Sequence, residues 1–464
     1  MKRIVIVGGG ITGLSAAFYL QREIQQHQLD ASVTLLEAGD RLGGKIQTEY
    51  RDGFVIERGP DSFLARKKSM SELIEEVGLA GDLVNNRTGQ AYILHSGSLH
   101  PIPEGAVMGV PTEVSPFIKS GLFTLPGKAR AGMDLFLPAK KVEGDQAVGT
   151  FFRRRLGDEV VDHLIEPLLS GIYAGNIDRL SLQSTFPQFQ QVEEQHRSLI
   201  LGMKKTRPKK QPKSTKGVFL TLKSGLSSLV EALELQMTDK VHIRKNSPVT
   251  AFEKNNEVYH VGLEDGSTIE ADQVIFTIPA LKAATLFDKE IQSQLQSAPA
   301  TSVATIAMAF PEALVPNDLN GTGFVVSKKS SSYTITACTW TNKKWPHTTP
   351  DGYFLLRCYV GKADDQSIVD KDDEAILDAV MTDLKQIMNI KDRPEFYYVT
   401  RWKHAMPQYL VGHKEKREQL EKILDEKYPR IQLAGASFDG IGLPDCIQSG
   451  EQAARKAIEG LIGR

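Results

Sequence analysis

The sequence predicts an α/β protein, α+β overall: a Rossmann-like βαβ domain, a domain built on a mixed sheet, and a helical domain. Three observations predict it. A β-branched run, Arg3 to Val7, enters the glycine cluster Gly8-x-Gly10-x-x-Gly13; Ile11, Leu14, Phe18 and Ile24 then recur at helical spacing; and a second apolar run, Ser32 to Leu36, ends on Glu37. The chain of 464 residues is too long for a single hydrophobic core, so interleaved domains with a large ligand site between them are expected. At 41% hydrophobic and 24% charged, with both signs mixed, the composition is that of an ordinary globular protein.

The first strand, helix and second strand form a βαβ unit whose parallel crossover should be right-handed. Its glycines suit dinucleotide binding. Gly8, Gly9, Gly10 and Gly13 let the backbone turn tightly and approach a pyrophosphate, and the helix N-terminus at Ile11 and Thr12 offers free N–H groups. Glu37, at the end of the second strand, is placed to accept hydrogen bonds from ribose hydroxyls. Next come Ala38-Gly39-Asp40-Arg41-Leu42-Gly43-Gly44-Lys45 and then Asp52-Gly53-Phe54-Val55-Ile56-Glu57-Arg58-Gly59-Pro60-Asp61-Ser62. Gly44 beside Arg41 and Lys45 offers close backbone approach and positive charge to a diphosphate. No second GxGxxG follows a later strand, so an NAD(P)H-fed reductase is disfavoured and an oxidase using FAD fits better.

Further strands are expected at Val274 to Ile278 and Ile431 to Leu433, and a helix from about Asp445 to Leu461, so both chain ends should share the nucleotide domain. The resulting division assigns residues 1–75, 217–283 and 400–464 to FAD binding. Residues 76–100, 181–216 and 284–399 go to the mixed-sheet substrate domain, where 323–340 and 352–361 look strand-rich, and residues 101–180 form the helical domain. Lys204 to Lys216 holds seven basic residues in thirteen and should be a solvated loop.

Net charge is −1, which supplies no global attraction for nucleic acid. Cys338, Cys358 and Cys446 show no CxxC or Cys/His spacing, so a disulfide framework, a dithiol redox couple and a metal site are not expected; a reducing, cytoplasmic setting fits. No apolar run is long enough to span a membrane, although peripheral contact stays open. The ten histidines form no dyad, and no general base is evident.

The glycine and acidic motifs resemble the large FAD-dependent oxidase superfamily, whose nucleotide domain is of the glutathione-reductase type. Further blocks narrow the resemblance: Gly59-Pro60-Asp61-Ser62-Phe63-Leu64, EPLLSGIYAG at Glu166 to Gly175, STFPQF at Ser184 to Phe189, TACTWTNKKWPH at Thr336 to His347, and GIGLPDCIQSG at Gly440 to Gly450. Together these resemble the HemY-type porphyrinogen oxidases of Gram-positive bacteria. The resemblance implies six-electron oxidation of coproporphyrinogen III, or alternatively protoporphyrinogen IX, in three two-electron steps with non-covalent FAD, O2 as acceptor and H2O2 released. It implies Lys67, Ile172 and Tyr359 as substrate contacts. It adds Val249, Trp402, Ile441, Gly442 and Leu443 to the cofactor shell, with flavin N5 accepting hydride and no certain catalytic side chain. A transient ferrochelatase contact would follow from handing on the product. Arg66, Lys67 and Lys68 directly follow a flavin motif, where they could meet propionates. Amine oxidases and carotenoid desaturases share the first motifs but would lack the Thr336 to His347 block. A non-enzymatic relative such as a Rab GDP-dissociation inhibitor is disfavoured by the intact glycines and Glu37.

Overall fold

The computed structural model describes the whole chain except residues 88, 141–142, 207–215, 317–319, 328–331 and 463–464. The core of the basic segment between Lys204 and Lys216 therefore lies outside the described residues.

The first sheet is fully parallel, in the order His242–Arg244, Ala31–Leu36, Lys2–Val7, Gln273–Phe276, Ile431–Leu433. Strand Lys2–Val7 is central and its Ile4 to Val7 are buried, as expected for a strand covered on both faces. Helix Ile11–Gln26 covers one face, and helix Leu443–Ile462 lies on it. A Cβ at Gly450 would sit 2.4 Å from the Thr12 carbonyl oxygen, so only glycine permits this crossing. The opposite face is closed by Phe252, Tyr259, Phe276, Phe287 and Leu424.

The second sheet runs in the order Phe396–Pro407, Ala300–Pro311, Tyr353–Val360, Ile335–Trp340, Gly323–Val326, Ala91–His95, Ser98–Pro101. Its neighbours are antiparallel except Gly323–Val326 and Ala91–His95, which makes it a mixed sheet. Alternation along Tyr353–Val360 divides labour. Leu356, Cys358 and Val360 join the core beneath helix Asp373–Met388, while Arg357 and Tyr359 face the ligand cavity described below.

The helical domain is assembled around Phe151, Phe152, Leu164, Phe186, Phe189 and Leu199. Its interior also holds charge. Arg155 is fully buried and bonds Asp134, with Nε to Oδ1 at 2.5 Å, and reaches Glu193 Oε1 at 3.3 Å. Asp134 Oδ2 also accepts from Ser198 Oγ at 2.6 Å and the Ile200 amide at 2.9 Å.

Three segments depart from the division read off the sequence. Residues 181–206 pack with the helical cluster through Phe186, Phe189, Val192, Leu199 and Met203 rather than with the mixed sheet. Their amphipathic helices bury more apolar area there than a sheet edge offers. Ala284, Leu286, Ile291 and Leu295 belong to the core of the parallel sheet. Residues 400–407 continue the strand Phe396–Pro407 and pair with Ala300–Pro311, which carries Trp402 into the mixed sheet.

Candidate active site

A cavity of about 2650 Å³ lies where the two sheets and the helical cluster meet. Gly8, Gly10, Ile11, Thr12, Glu37, Ala38, Gly44 and Lys45 line one end, and Gly59, Pro60, Asp61, Ser62 and Val249 continue its wall. Lys67, Ile172 and Tyr359 lie on the same cavity, as do Trp402, Ile441, Gly442 and Leu443. The residues expected to hold cofactor and substrate are thus brought to one space from chain positions hundreds of residues apart.

The glycines of the turn do different work, and two of those expected at the cofactor, Gly9 and Gly13, do not line the cavity. A Cβ on Gly13 would stand 1.9 Å from the Gly8 carbonyl oxygen, so this glycine is required by helix–strand contact and does not line the cavity. A Cβ on Gly10 would meet no protein atom within 4 Å, so the space beside it is open to a ligand. Gly9 stands behind the wall, where its amide donates to Glu37 Oε2 at 2.7 Å. The other carboxylate oxygen of Glu37 accepts from the Gly39 amide at 2.8 Å, so Glu37 clamps two turns as well as lining the site. Open space at Gly10, the exposed N-terminus of helix Ile11–Gln26 and an acid at the second strand together fit a dinucleotide.

One expected cofactor residue is not on the cavity, and one expected substrate contact is paired within the protein. Arg41 does not line the cavity: its guanidinium donates to the carbonyls of Leu42 at 3.2 Å, Gly44 at 2.7 Å and Ile46 at 3.0 Å. With these three bonds from Nη1 and Nη2, Arg41 staples the Gly43-Gly44 turn. Lys67 is not a free ammonium, because Nζ bonds Asp445 Oδ1 at 2.5 Å and Oδ2 at 2.6 Å. Asp445 sits in the first turn of helix Leu443–Ile462, where a carboxylate is favoured by the helix dipole.

This pairing gives a prediction. Lys67→Ala should strand the Asp445 carboxylate in the cavity wall and repel an anionic substrate. Because the pair is partly exposed, the expected loss in kcat/KM is roughly threefold to tenfold, carried by KM. Adding Asp445→Asn should restore most of it. Steady-state kinetics at matched flavin content check both, and a double variant no better than the single one would contradict the charge explanation.

A family model for flavin containing amine oxidoreductases matches residues 11–458. The chain belongs to that family. It is 53% identical over 462 residues to the coproporphyrinogen III oxidase of Bacillus subtilis, with 98% of each chain covered. It is 44% identical to the coproporphyrinogen III oxidase of Staphylococcus aureus, covering 98% of this chain and 99% of the relative. A crystal structure from Exiguobacterium sp., described as a candidate protoporphyrinogen oxidase, superposes with a TM-score of 0.90 at 40% identity, covering 100% of this chain and 99% of the other.

As a flavin-dependent oxidoreductase, this protein carries site residues that the sequence did not single out. Lys344, in the Thr336 to His347 block, reaches Asp61 Oδ2 at 3.0 Å. Burial pushes the Asp61 carboxyl up, but Lys344 and Arg357 more than reverse this and hold it well below the ordinary carboxylate range. Arg357 is 4% exposed, bonds the Gly59 carbonyl and stacks 5.0 Å from the Tyr359 ring centre. Burial pushes the Tyr359 phenol up to about 12, so it presents a neutral hydroxyl. Lys45 donates to the Ala405 carbonyl, and burial holds its ammonium below the usual lysine range. Trp402 is tied to the flavin motif by its indole N–H, which donates to the Arg58 carbonyl at 3.3 Å.

Among the described residues no cluster of three or more His, Cys, Asp or Glu is arranged to hold a metal, and no helix is long and apolar enough to cross a membrane.

Proposed function

We propose that this protein is a coproporphyrinogen III oxidase that removes six electrons in three two-electron steps, with O2 as acceptor and three H2O2 released per porphyrin. The observation that carries the proposal is the continuity of the cavity from Gly10 and Glu37 to Ile172 and Tyr359, in a chain 53% identical to a coproporphyrinogen III oxidase. Non-covalent FAD, when bound, supplies the two-electron acceptor. Gly8, Gly10, Ile11, Thr12, Glu37, Ala38, Gly44, Lys45 and Val249, whose segment bonds the Glu37 backbone, would hold its nucleotide part, and Gly59 to Ser62, Trp402 and Ile441 to Leu443 its ring. Non-covalent binding is supported by Cys446, whose buried thiol is pushed up to about 11 by burial and so carries little thiolate.

The protein's part is to bind, orient and shield the substrate. Ile172, 46% exposed on the helix Glu166–Tyr173, gives the tetrapyrrole an apolar shelf, and Tyr359 closes the opposite side. Arg66 and Lys282 line the cavity without a bonded partner among the described residues, so both are available to propionates. Four propionates favour coproporphyrinogen at such cations over the two of protoporphyrinogen. We assign the protein to the cytoplasm, where a ferrochelatase-type acceptor would take the porphyrin by transient contact.

Anaerobic mixing tests the assignment. Coproporphyrinogen III should bleach the flavin rapidly, NADPH should not, and admitting O2 should yield three peroxides per porphyrin. Rapid bleaching by NADPH would overturn the oxidase reading; a preference for protoporphyrinogen IX would overturn the substrate.

A further inference from the structure

Behind the Gly59 to Ser62 loop lies a second, small cavity of about 20 Å³. Glu57 forms one side, and Thr341, Trp345 and His347 form another. Asp61 and Arg357 line both this chamber and the main cavity, so they are the wall between the two. The chamber is lined largely by apolar surface, with Val55, Ile56, Leu222, Ala307 and Leu355 on it, but several of the polar side chains around it are under-bonded. Arg357 Nε and Nη1, Trp345 Nε1, Thr341 Oγ1 and His347 Nε2 have no hydrogen-bond partner, although Arg357, Trp345 and Thr341 are each more than nine-tenths buried. Unsatisfied polar atoms on the residues around a space of this size are a setting in which a buried water is held. Such a water would couple Glu57 to the guanidinium of Arg357.

The charges facing this chamber are few. Glu57 comes from strand Phe54–Glu57, Asp61 from the flavin loop, His347 from the segment after Trp340, and Arg357 from strand Tyr353–Val360; Lys344 does not line the chamber but acts on it through its bond to Asp61. Asp82 and Lys223 act on His347 from the outer side, and burial lowers its imidazole, so it stays neutral at neutral pH. With Glu57 ionised, two carboxylates balance Lys344 and Arg357. With Glu57 protonated, the set carries one net positive charge. Burial pushes the Glu57 carboxyl up to about 7, against the hydrogen bonds from the Leu226 amide and the Thr48 hydroxyl and the attraction of Arg357.

We propose that Glu57 is a positioning residue: acting across the chamber on Arg357, it sets the net charge that the Arg357–Asp61 wall turns toward the main cavity, and so how tightly that cavity holds an anionic substrate. This rests on the porphyrinogen reading above.

The test uses the flavin-loaded enzyme, with coproporphyrin III as a fluorescent tetracarboxylate probe and coproporphyrinogen III for kinetics. One charge gained or lost behind a cavity wall changes anion affinity by roughly threefold to tenfold at intermediate effective dielectric. Wild-type Kd and KM should therefore rise by that factor as pH increases through about 7, with kcat little changed. Glu57→Gln should stay tight throughout, and Glu57→Asp should recover a pH dependence. Melting temperature gives a readout independent of substrate. The folded-state pKa lies above the ordinary 4.5, so the wild type's stability relative to Glu57→Gln is fully present below that value and lost as pH rises through about 7. A melting gap that ignores pH, or a wild-type pH dependence that survives in Glu57→Gln, overturns the proposal. Wild-type binding that is tight but flat with pH overturns it while leaving the substrate reading intact; no tetracarboxylate binding at any pH overturns both.

Discussion

Gly10→Val is expected to give a folded protein that cannot hold FAD. The backbone at Gly10 is extended, with φ −72° and ψ 177°, a conformation that valine adopts freely. A Cβ there meets no protein atom within 4 Å, so nothing in the fold resists the larger side chain. It would instead fill the space at the N-terminus of helix Ile11–Gln26 where the pyrophosphate is expected, and keep the phosphate from the terminal amides. The loss should be at least roughly a hundredfold in affinity, equivalent to about 2.7 kcal/mol. Apoprotein melting should move by no more than about 2 °C. Gly13→Val is the contrast: its Cβ would overlap the Gly8 carbonyl at 1.9 Å, so that variant should fail to fold. Flavin absorbance per chain and apoprotein melting curves separate the two outcomes, and a fully yellow Gly10→Val would refute the cofactor assignment of this turn.

The largest effect on stability is expected from Arg155→Met. Arg155 and Asp134 have no exposed side-chain surface and Glu193 has 1%, so removing the cation leaves Asp134 buried with its counter-charge gone and Glu193 with one of its two. Arg154 still reaches Glu193 at 2.7 Å, but Asp134 keeps only Ser198 and the Ile200 amide. Breaking a buried pair by removing one partner costs about 3 to 5 kcal/mol. The helical domain should open first, seen as a lowered urea midpoint for probes at Phe151 and Phe189 and faster proteolysis there. Arg155→Met with Asp134→Asn and Glu193→Gln should recover much of the loss. A single variant as stable as wild type would mean that the triad relaxes or takes up protons at little cost.

The parts of this molecule legible in the sequence are those where local signals agree. The strand Lys2–Val7, the glycine turn and helix Ile11–Gln26 were readable because a short β-branched run gives way to a period near 3.6 at a glycine cluster. The strand Ile431–Leu433 was placed to the residue, and helix Leu443–Ile462 begins two residues before the expected Asp445 because Leu443 and Pro444 form its first turn. What was not legible depends on partners far away in the chain. Lys67 and Asp445 are separated by 378 positions, and nothing local tells a cavity ammonium from a paired one. Segment 181–206 is amphipathic, but periodicity says only that it must bury a face, not against which neighbour. Arg357 did leave a signal that went unused: a lone cation inside the apolar strand Phe354 to Val360 must find counter-charge or carbonyls if that strand is buried. Glu57, quoted within a motif, carried the same signal.

The parallel sheet that cradles the cofactor borrows its central strand from residues 2–7 and its edge strand from residues 431–433. Chains are synthesised at about 5 to 20 residues per second, so a ribosome needs roughly 20 to 90 s to pass from one strand to the other. Until then the nascent domain has an open edge beside Gln273–Phe276, and helix Ile11–Gln26 lacks the cover of Leu443–Ile462. A complete flavin cradle therefore needs residues 431–462 to be in place. A cell short of flavin at that moment would accumulate finished chains whose cradle has formed around nothing, and its supply of active enzyme would follow vitamin status rather than the rate of translation.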